Sequence, residues 1–138
     1  MKCCRLAAVL CSALLLPVAG LVVAEPGVPA PGSWQAHAPA LYVARSDQRS
    51  CSEPLQPPPL AEGRRLASVA WQYVVPPGAP LRAWLCQGSQ CVVLPGSRGR
   101  SRGLAGLDAS QSLRLCFLRE RSGAGLAVRG MQVLVEYR

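Results

Sequence analysis

The sequence predicts an all-β fold, a single small β-sandwich of antiparallel strands, and three observations predict it. Side chains alternate between two faces at period 2 in Leu66 to Val75, Leu81 to Cys86, Leu113 to Leu118 and Met131 to Arg138, the pattern of strands with one buried face. Gly- and Pro-rich breaks separate these runs, as short strands joined by turns require. Beyond residue 24 no stretch carries the 3.6-residue periodicity of a substantial amphipathic helix.

The amino terminus reads as a signal peptide over residues 1–24. Lys2 and Arg5 supply a positive start, Leu6 to Leu16 is almost wholly apolar, and Val22-Val23-Ala24 is a small-residue cleavage signature. Cys11 lies inside the apolar run rather than after it, which argues against a lipoprotein, and Cys3, Cys4 and Cys11 leave with the peptide. Pro17 and Gly20 interrupt the run and no positive stop-transfer flank follows, so no stable membrane insertion is expected after cleavage. Residues 25–33 form a Pro/Gly-rich leader and 34–138 the sandwich domain. The 114 residues from Glu25 onward suffice for one domain. They hold 13 arginines, 7 carboxylates and no lysine, a net +6. The surplus suits an acidic protein surface or an anionic envelope component; nucleic acid is not expected for an exported chain.

Taken in order, Trp34 to Ala44 contains a first strand with Leu41, Tyr42 and Val43 at its centre. Ser46 to Gly63 is polar and proline-rich; Pro57-Pro58-Pro59 is either a ligand for an aromatic groove or a stiff connection across one end of the sandwich. Leu66 to Val75 puts Val69, Trp71, Tyr73 and Val75 on one face, and Pro76-Pro77-Gly78 ends it. In LRAWLCQGSQCVVL, Leu81 to Leu94, a loop of about four residues, Gln87 to Gln90, joins two strands. Cys86 and Cys91 then face each other across the neck, a disulfide clamp contributing about 2 kcal/mol and requiring an oxidising compartment. Cys51 and Cys116 pair by elimination. Zinc would need two close cysteine pairs or nearby histidines, and His37 is the only histidine. Pro95 to Arg102, PGSRGRSR, reads as a basic loop without apolar anchors. Leu104 to Leu107 is a short apolar run. Leu113, Leu115 and Phe117 alternate with Arg114, Cys116 and Leu118, and a loop at Ser122 to Gly125 precedes the last strand.

That strand, Met131 to Arg138, buries Met131, Val133, Val135 and Tyr137 as a structural element; the alternative is an edge strand offering its backbone to a client segment, with Glu136 and Arg138 guarding the edge.

Catalysis finds little support. A hydrolase would use a histidine base, and His37 stands alone in a Pro/Ala-rich setting. The carboxylates are scattered without a pair suited to glycoside chemistry. Four residues between Cys86 and Cys91 is not redox-motif spacing. No catalytic, cofactor-binding or metal-binding residue is assigned, and no cofactor is expected. Binding is the remaining class. Arg98, Arg100 and Arg102 form either a solvated turn or an electrostatic docking site. Trp84 shares a face with Arg82 and Cys86, opposite Leu81 and Leu85, and is the solvent-facing candidate among Trp34, Trp71 and Trp84.

The strings WQYVVPPGAPLRAWLCQGSQCVVL, LRLCF and MQVLVEYR resemble the FlhE family of flagellar proteins. The matching positions are Trp71, Tyr73, Leu81, Arg82, Leu85, Cys86, Cys91, Val92, Leu94, Gln132, Val133, Val135, Tyr137 and Arg138, with Trp34 also in keeping. Cys51, Cys116, the Pro-rich segment and the Arg-rich loop depart from the family pattern. The resemblance implies a periplasmic β-sandwich, and the residues themselves lead to the expectation that it is not an enzyme. It implies a role in orderly flagellar type III export, through control of proton leakage at the export gate or chaperone-like activity. The partner would be an export or basal-body protein, and the chain itself a monomer or weak oligomer. An envelope protein- or carbohydrate-binding sandwich unrelated to flagella is the alternative.

Overall fold

The computed structural model describes residues 31–138; the expected signal peptide and most of the expected leader lie outside them. Two antiparallel sheets pack face to face, as the alternating patterns predict. The chain contributes nine strands among the described residues: β1 (Gly32–Ala38), β2 (Leu41–Val43), β3 (Ser50–Cys51), β4 (Leu66–Val74), β5 (Leu81–Gln87), β6 (Gln90–Leu94), β7 (Arg98–Ser101), β8 (Arg114–Arg119) and β9 (Leu126–Tyr137). The first sheet has the order β1-β9-β4-β7, with β2 also on β9; the second has the order β3-β8-β5-β6. A 3-10 turn at Pro59–Ala61 is the one helical element of the described residues.

The last strand is the centre of the first sheet. It pairs with β1 along one side and β4 along the other, which removes the edge-strand alternative for Met131 to Tyr137. Its inward residues Met131, Val133 and Val135 are fully buried and Tyr137 nearly so. Even Arg138 is tied down, exchanging two backbone hydrogen bonds of 2.9 Å with Arg65. Facing β9 across the core are Ala83 and Leu85 of β5 and Leu115 and Phe117 of β8. The Tyr73 and Phe117 rings join the two layers edge to face, 5.0 Å between centroids.

Four expectations need correction. The first strand is interrupted, because Pro39 brings no N–H to a ladder; β1 and β2 nonetheless keep one register on β9, Ala38 opposite Met131 and Leu41 opposite Val128. The residue facing Pro39 in that register is Gly130, at φ +56°. Next, Ser46 to Gly63 is more than a connection. It supplies β3, and it sinks Leu55 and Ala61 fully into the core, Leu55 being pinned to Leu113 by backbone bonds of 2.7 and 3.1 Å.

The hairpin loop is tighter than four residues. Gln87 pairs with Gln90, leaving only Gly88 (φ +56°) and Ser89 in the turn, the two-residue kind whose twist matches its strands. Finally, the basic loop contains strand β7, paired with β4 through Val69/Ser101 to Gln72/Arg98. Its anchor is aromatic. Gly99 lies opposite Trp71, where a β-carbon would fall 2.7 Å from the indole, and the indole N–H donates to Gly96 O at 3.0 Å.

Truncation after Gly130 strips β1 and β4 of their shared partner. The product is expected to show no cooperative melt and no near-ultraviolet circular dichroism; a melt near the full-length temperature would contradict the central placement of β9.

Candidate partner-binding surfaces

Among the described residues, the carboxylates of Asp47, Asp108 and Glu136 are engaged in holding loops and strands. His37 is exposed on β1, 3.4 Å from the Gln35 amide. Asp47 receives a forked pair of hydrogen bonds from Arg45 at 2.9 and 2.7 Å, which holds its carboxyl down at about 2. Asp108 accepts from the N–H and hydroxyl of Ser110 and is likewise lowered. Glu136 accepts from the Ser68 hydroxyl at 2.8 Å and pairs with Arg100 at 2.9 Å; the hydroxyl first, and the guanidinium second, hold its carboxyl below the usual range. A downward shift is opposite to what a general acid needs. Among the described residues no three His, Cys, Asp or Glu side chains converge as metal ligands.

Chemistry concentrates instead on the outer face of the second sheet. Cys51 pairs with Cys116 and Cys86 with Cys91, each bridge joining residues directly opposite on adjacent strands, with Cα separations of 4.0 and 4.1 Å. The Ser52 N–H donates to Leu115 O at 2.8 Å, so Cys51 and Cys116 form the neighbouring pair without backbone hydrogen bonds, where strands approach most closely. Trp84 lies opposite Cys116 and forms with it and Cys86 a small apolar cluster backed by Leu118. It is on the outer face, as its alternation predicts, but it is not solvent-facing. Only 6% of it is exposed, because the Arg49 guanidinium lies 3.9 Å from the ring centroid and that of Arg82 5.3 Å.

Beside this cluster lies a depression of about 620 Å³, lined by both disulfides, Arg49, Arg114 and the hairpin turn. Arg114 donates to Ser52 O at 3.2 Å, while the Ser52 hydroxyl takes over as acceptor for the Leu115 N–H at 3.1 Å. Sequence reasoning missed this assembly, although its signal is present. Arg49-x-Cys51, Arg82-x-Trp84-x-Cys86 and Arg114-x-Cys116 each place an arginine two residues before a cysteine or tryptophan, and residues two apart share a strand face.

The basic segment lies elsewhere, on the edge of the first sheet. Arg98 and Arg100 are exposed on β7 and Arg102 just beyond it. Arg100 is engaged with Glu136 and, at 3.4 Å, with Ser68; neither ion pair of the described residues includes Arg98 or Arg102. Of the other residues singled out in the sequence, Trp34, Trp71, Tyr73, Leu85, Val133, Val135 and Tyr137 are buried core. Leu81 packs at the core margin, and Gln132 stands on the outer face beside Gln72.

Two predictions follow from this geometry. The Cys51–Cys116 bridge spans 65 residues and the Cys86–Cys91 bridge 5, so loop-closure entropy assigns about 4 and about 2 kcal/mol respectively. Denaturant unfolding of the paired Cys→Ser variants should show the larger loss for the long bridge. Second, Glu136 has a lowered folded pKa, so its contribution is complete above its ordinary value of 4.5 and is lost as pH falls through the folded value. Glu136→Gln should flatten the fall in melting temperature below that pH; an unchanged slope would contradict the role of Ser68 and Arg100.

Comparison with known proteins follows the same strands. The family model described as "Flagellar protein FlhE" matches residues 41–138, from β2 to the chain end. The flagellar protein FlhE of Yersinia enterocolitica is 34% identical over 116 residues, covering 79% of this chain and 83% of the relative. That of Escherichia coli K12 is 33% identical over 114 residues, covering 78% and 85%. A crystal structure of FlhE superposes with a TM-score of 0.68 at 33% identity, covering 80% of this chain and 99% of that one. With the same sandwich, and with sequence similarity running through its central strand and its clamped hairpin, the chain belongs to the FlhE family of flagellar proteins.

Proposed function

We propose that this chain is a non-enzymatic accessory protein of flagellar biogenesis. It is exported to the periplasm by removal of residues 1–24, and it regulates flagellar type III export by binding a component of the export or basal-body machinery. The observation that carries this reading is membership of the FlhE family on a sandwich whose cysteines are all paired within the described residues. Two structural disulfides belong to an oxidising compartment. The carboxylates with displaced pKa are held by their own neighbours in the fold, and binding is the activity this reading assigns. Among the described residues no helix is long and apolar enough to cross a membrane. Limiting proton leakage at the export gate and a chaperone-like hold on a flagellar component are the two forms such regulation would take. Arg98 and Arg102, exposed on the β7 edge, form one surface for an acidic partner.

The reading is tested in a deletion strain of the source bacterium. Loss of normal swimming, restored by the wild-type gene, is the expected result; unaltered motility and flagellation would overturn the flagellar role. Protein from the periplasmic fraction should begin at Glu25 and weigh four hydrogens less than the reduced chain. In the same strain, Arg98→Ser/Arg102→Ser should leave the melting temperature unchanged, since surface charges of this kind contribute little to stability. It should also weaken complementation; full complementation would remove the β7 edge as a partner surface.

A further inference from the structure

We infer that the disulfide-floored depression on the second sheet docks an acidic segment of a partner protein, one that presents carboxylates beside an apolar side chain. The inference rests on the reading that this protein acts by binding another, and it holds whichever process that partner serves.

Charge is the first argument. Arg49 and Arg114 line the depression and Arg82 lies 5.3 Å from the ring of the adjoining Trp84, all three exposed, and neither ion pair of the described residues includes them. Glu53, the carboxylate next in sequence to β3, is exposed and in neither ion pair. Three cations on one sheet face without local compensation repel one another, and an incoming carboxylate relieves that repulsion.

Preorganisation is the second. Arg49 is laid over Trp84 and its Nη1 reaches Cys91 Sγ at 4.0 Å; Arg114 is held by one carbonyl, that of Ser52. A guanidinium carries five N–H donors in a fixed fork, so each retains donors for a carboxylate, which it binds in a planar, two-bond arrangement. Arg49 directly precedes β3 and Arg114 opens β8, two strands stapled to each other by the Cys51–Cys116 bridge in the floor, so little backbone ordering remains to be done on binding.

The floor is the third. The four disulfide cysteines give the depression its apolar floor, and two of them, Cys86 and Cys116, belong to the Trp84 cluster. A space of about 620 Å³ falls in the range of small-ligand sites, and a lone inorganic anion would leave its apolar floor uncovered. A sugar ring needs an open aromatic face, and the face of Trp84 is occupied by Arg49. A peptide that alternates acidic and apolar side chains satisfies both floor and rim.

The test uses the purified, disulfide-oxidised protein and a fluorescein-labelled hexapeptide of alternating Asp and Leu, read by fluorescence anisotropy. Saturable binding that weakens with added salt is expected, with amide shifts in nuclear magnetic resonance centred on Gly88, Ser89, Gln111 and Ser112. Arg49→Gln/Arg114→Gln should weaken binding about tenfold or more, as loss of charged hydrogen bonds implies. Arg98→Gln/Arg102→Gln should leave it unchanged, and so serves as the control for general charge. Equal binding by the Arg49/Arg114 variant overturns the proposal, as does equal binding of an Asn/Leu hexapeptide. So does dextran sulfate binding where the peptide fails, which would assign the face to an anionic polysaccharide. These results are separable from the flagellar reading: normal swimming of the deletion strain would refute that role and leave the docking site standing.

Discussion

The fold depends on β9 being paired on both sides. Its neighbours lie far from it in sequence, β1 and β2 at the start of the domain and β4 nearer its middle, so the first sheet is complete only when the last strand arrives. Met131, Val133 and Val135 are then sealed against the second sheet. Burial of such a row, at about 25 cal/mol per Å² of apolar surface, drives the two layers together. Such non-local pairing makes chain entropy the principal opposing term.

The long disulfide answers that constraint. Cys51 and Cys116 bracket β4, β5, β6 and β7, and joining them shortens the search the unfolded chain must make. Trp71 performs a related task at the opposite sheet. Its ring lies over Gly99, and its indole N–H holds Gly96, fixing a segment whose own side chains are polar. Arg119, buried at 5% exposure, reaches the carbonyls of Ala44 and Gly123 at 3.1 and 2.7 Å, and so ties the segments following β2 and β8.

The two outer faces consequently differ in character. On the first sheet, Gln35, Gln132 and Gln72 present amides, and Arg100 is satisfied by Glu136 and Ser68, the composition of a solvated face. On the second, covalent sulfur, a covered indole and uncompensated guanidinium groups occupy adjoining rows. The two bridges fix the strand backbones beneath those guanidinium groups.

Local pattern alone specifies the sandwich class, the inward set Val69, Trp71, Tyr73, Leu85, Leu115, Phe117, Val133 and Val135, and the clamp at Cys86 and Cys91. Period-2 alternation reports the buried face of a strand directly, and a short cysteine spacing across a turn leaves few geometries. The sequence also carried the strings that resemble FlhE. Tertiary structure decided what periodicity does not encode. Arg98 to Ser101 pairs as a strand because β4 offers it a free edge and Trp71 a surface to lie on. Ser50 and Cys51 pair because β8 lies beside them. Leu55 enters the core from a proline-rich stretch that has no alternation. The site followed the same rule. Each arginine was visible two residues before its cysteine or tryptophan, but the three segments lie far apart in sequence, and only the register of β3, β8 and β5 makes them neighbours. A cross-strand row is a property of pairing, and pairing between distant segments is settled by packing rather than by the local pattern of either strand.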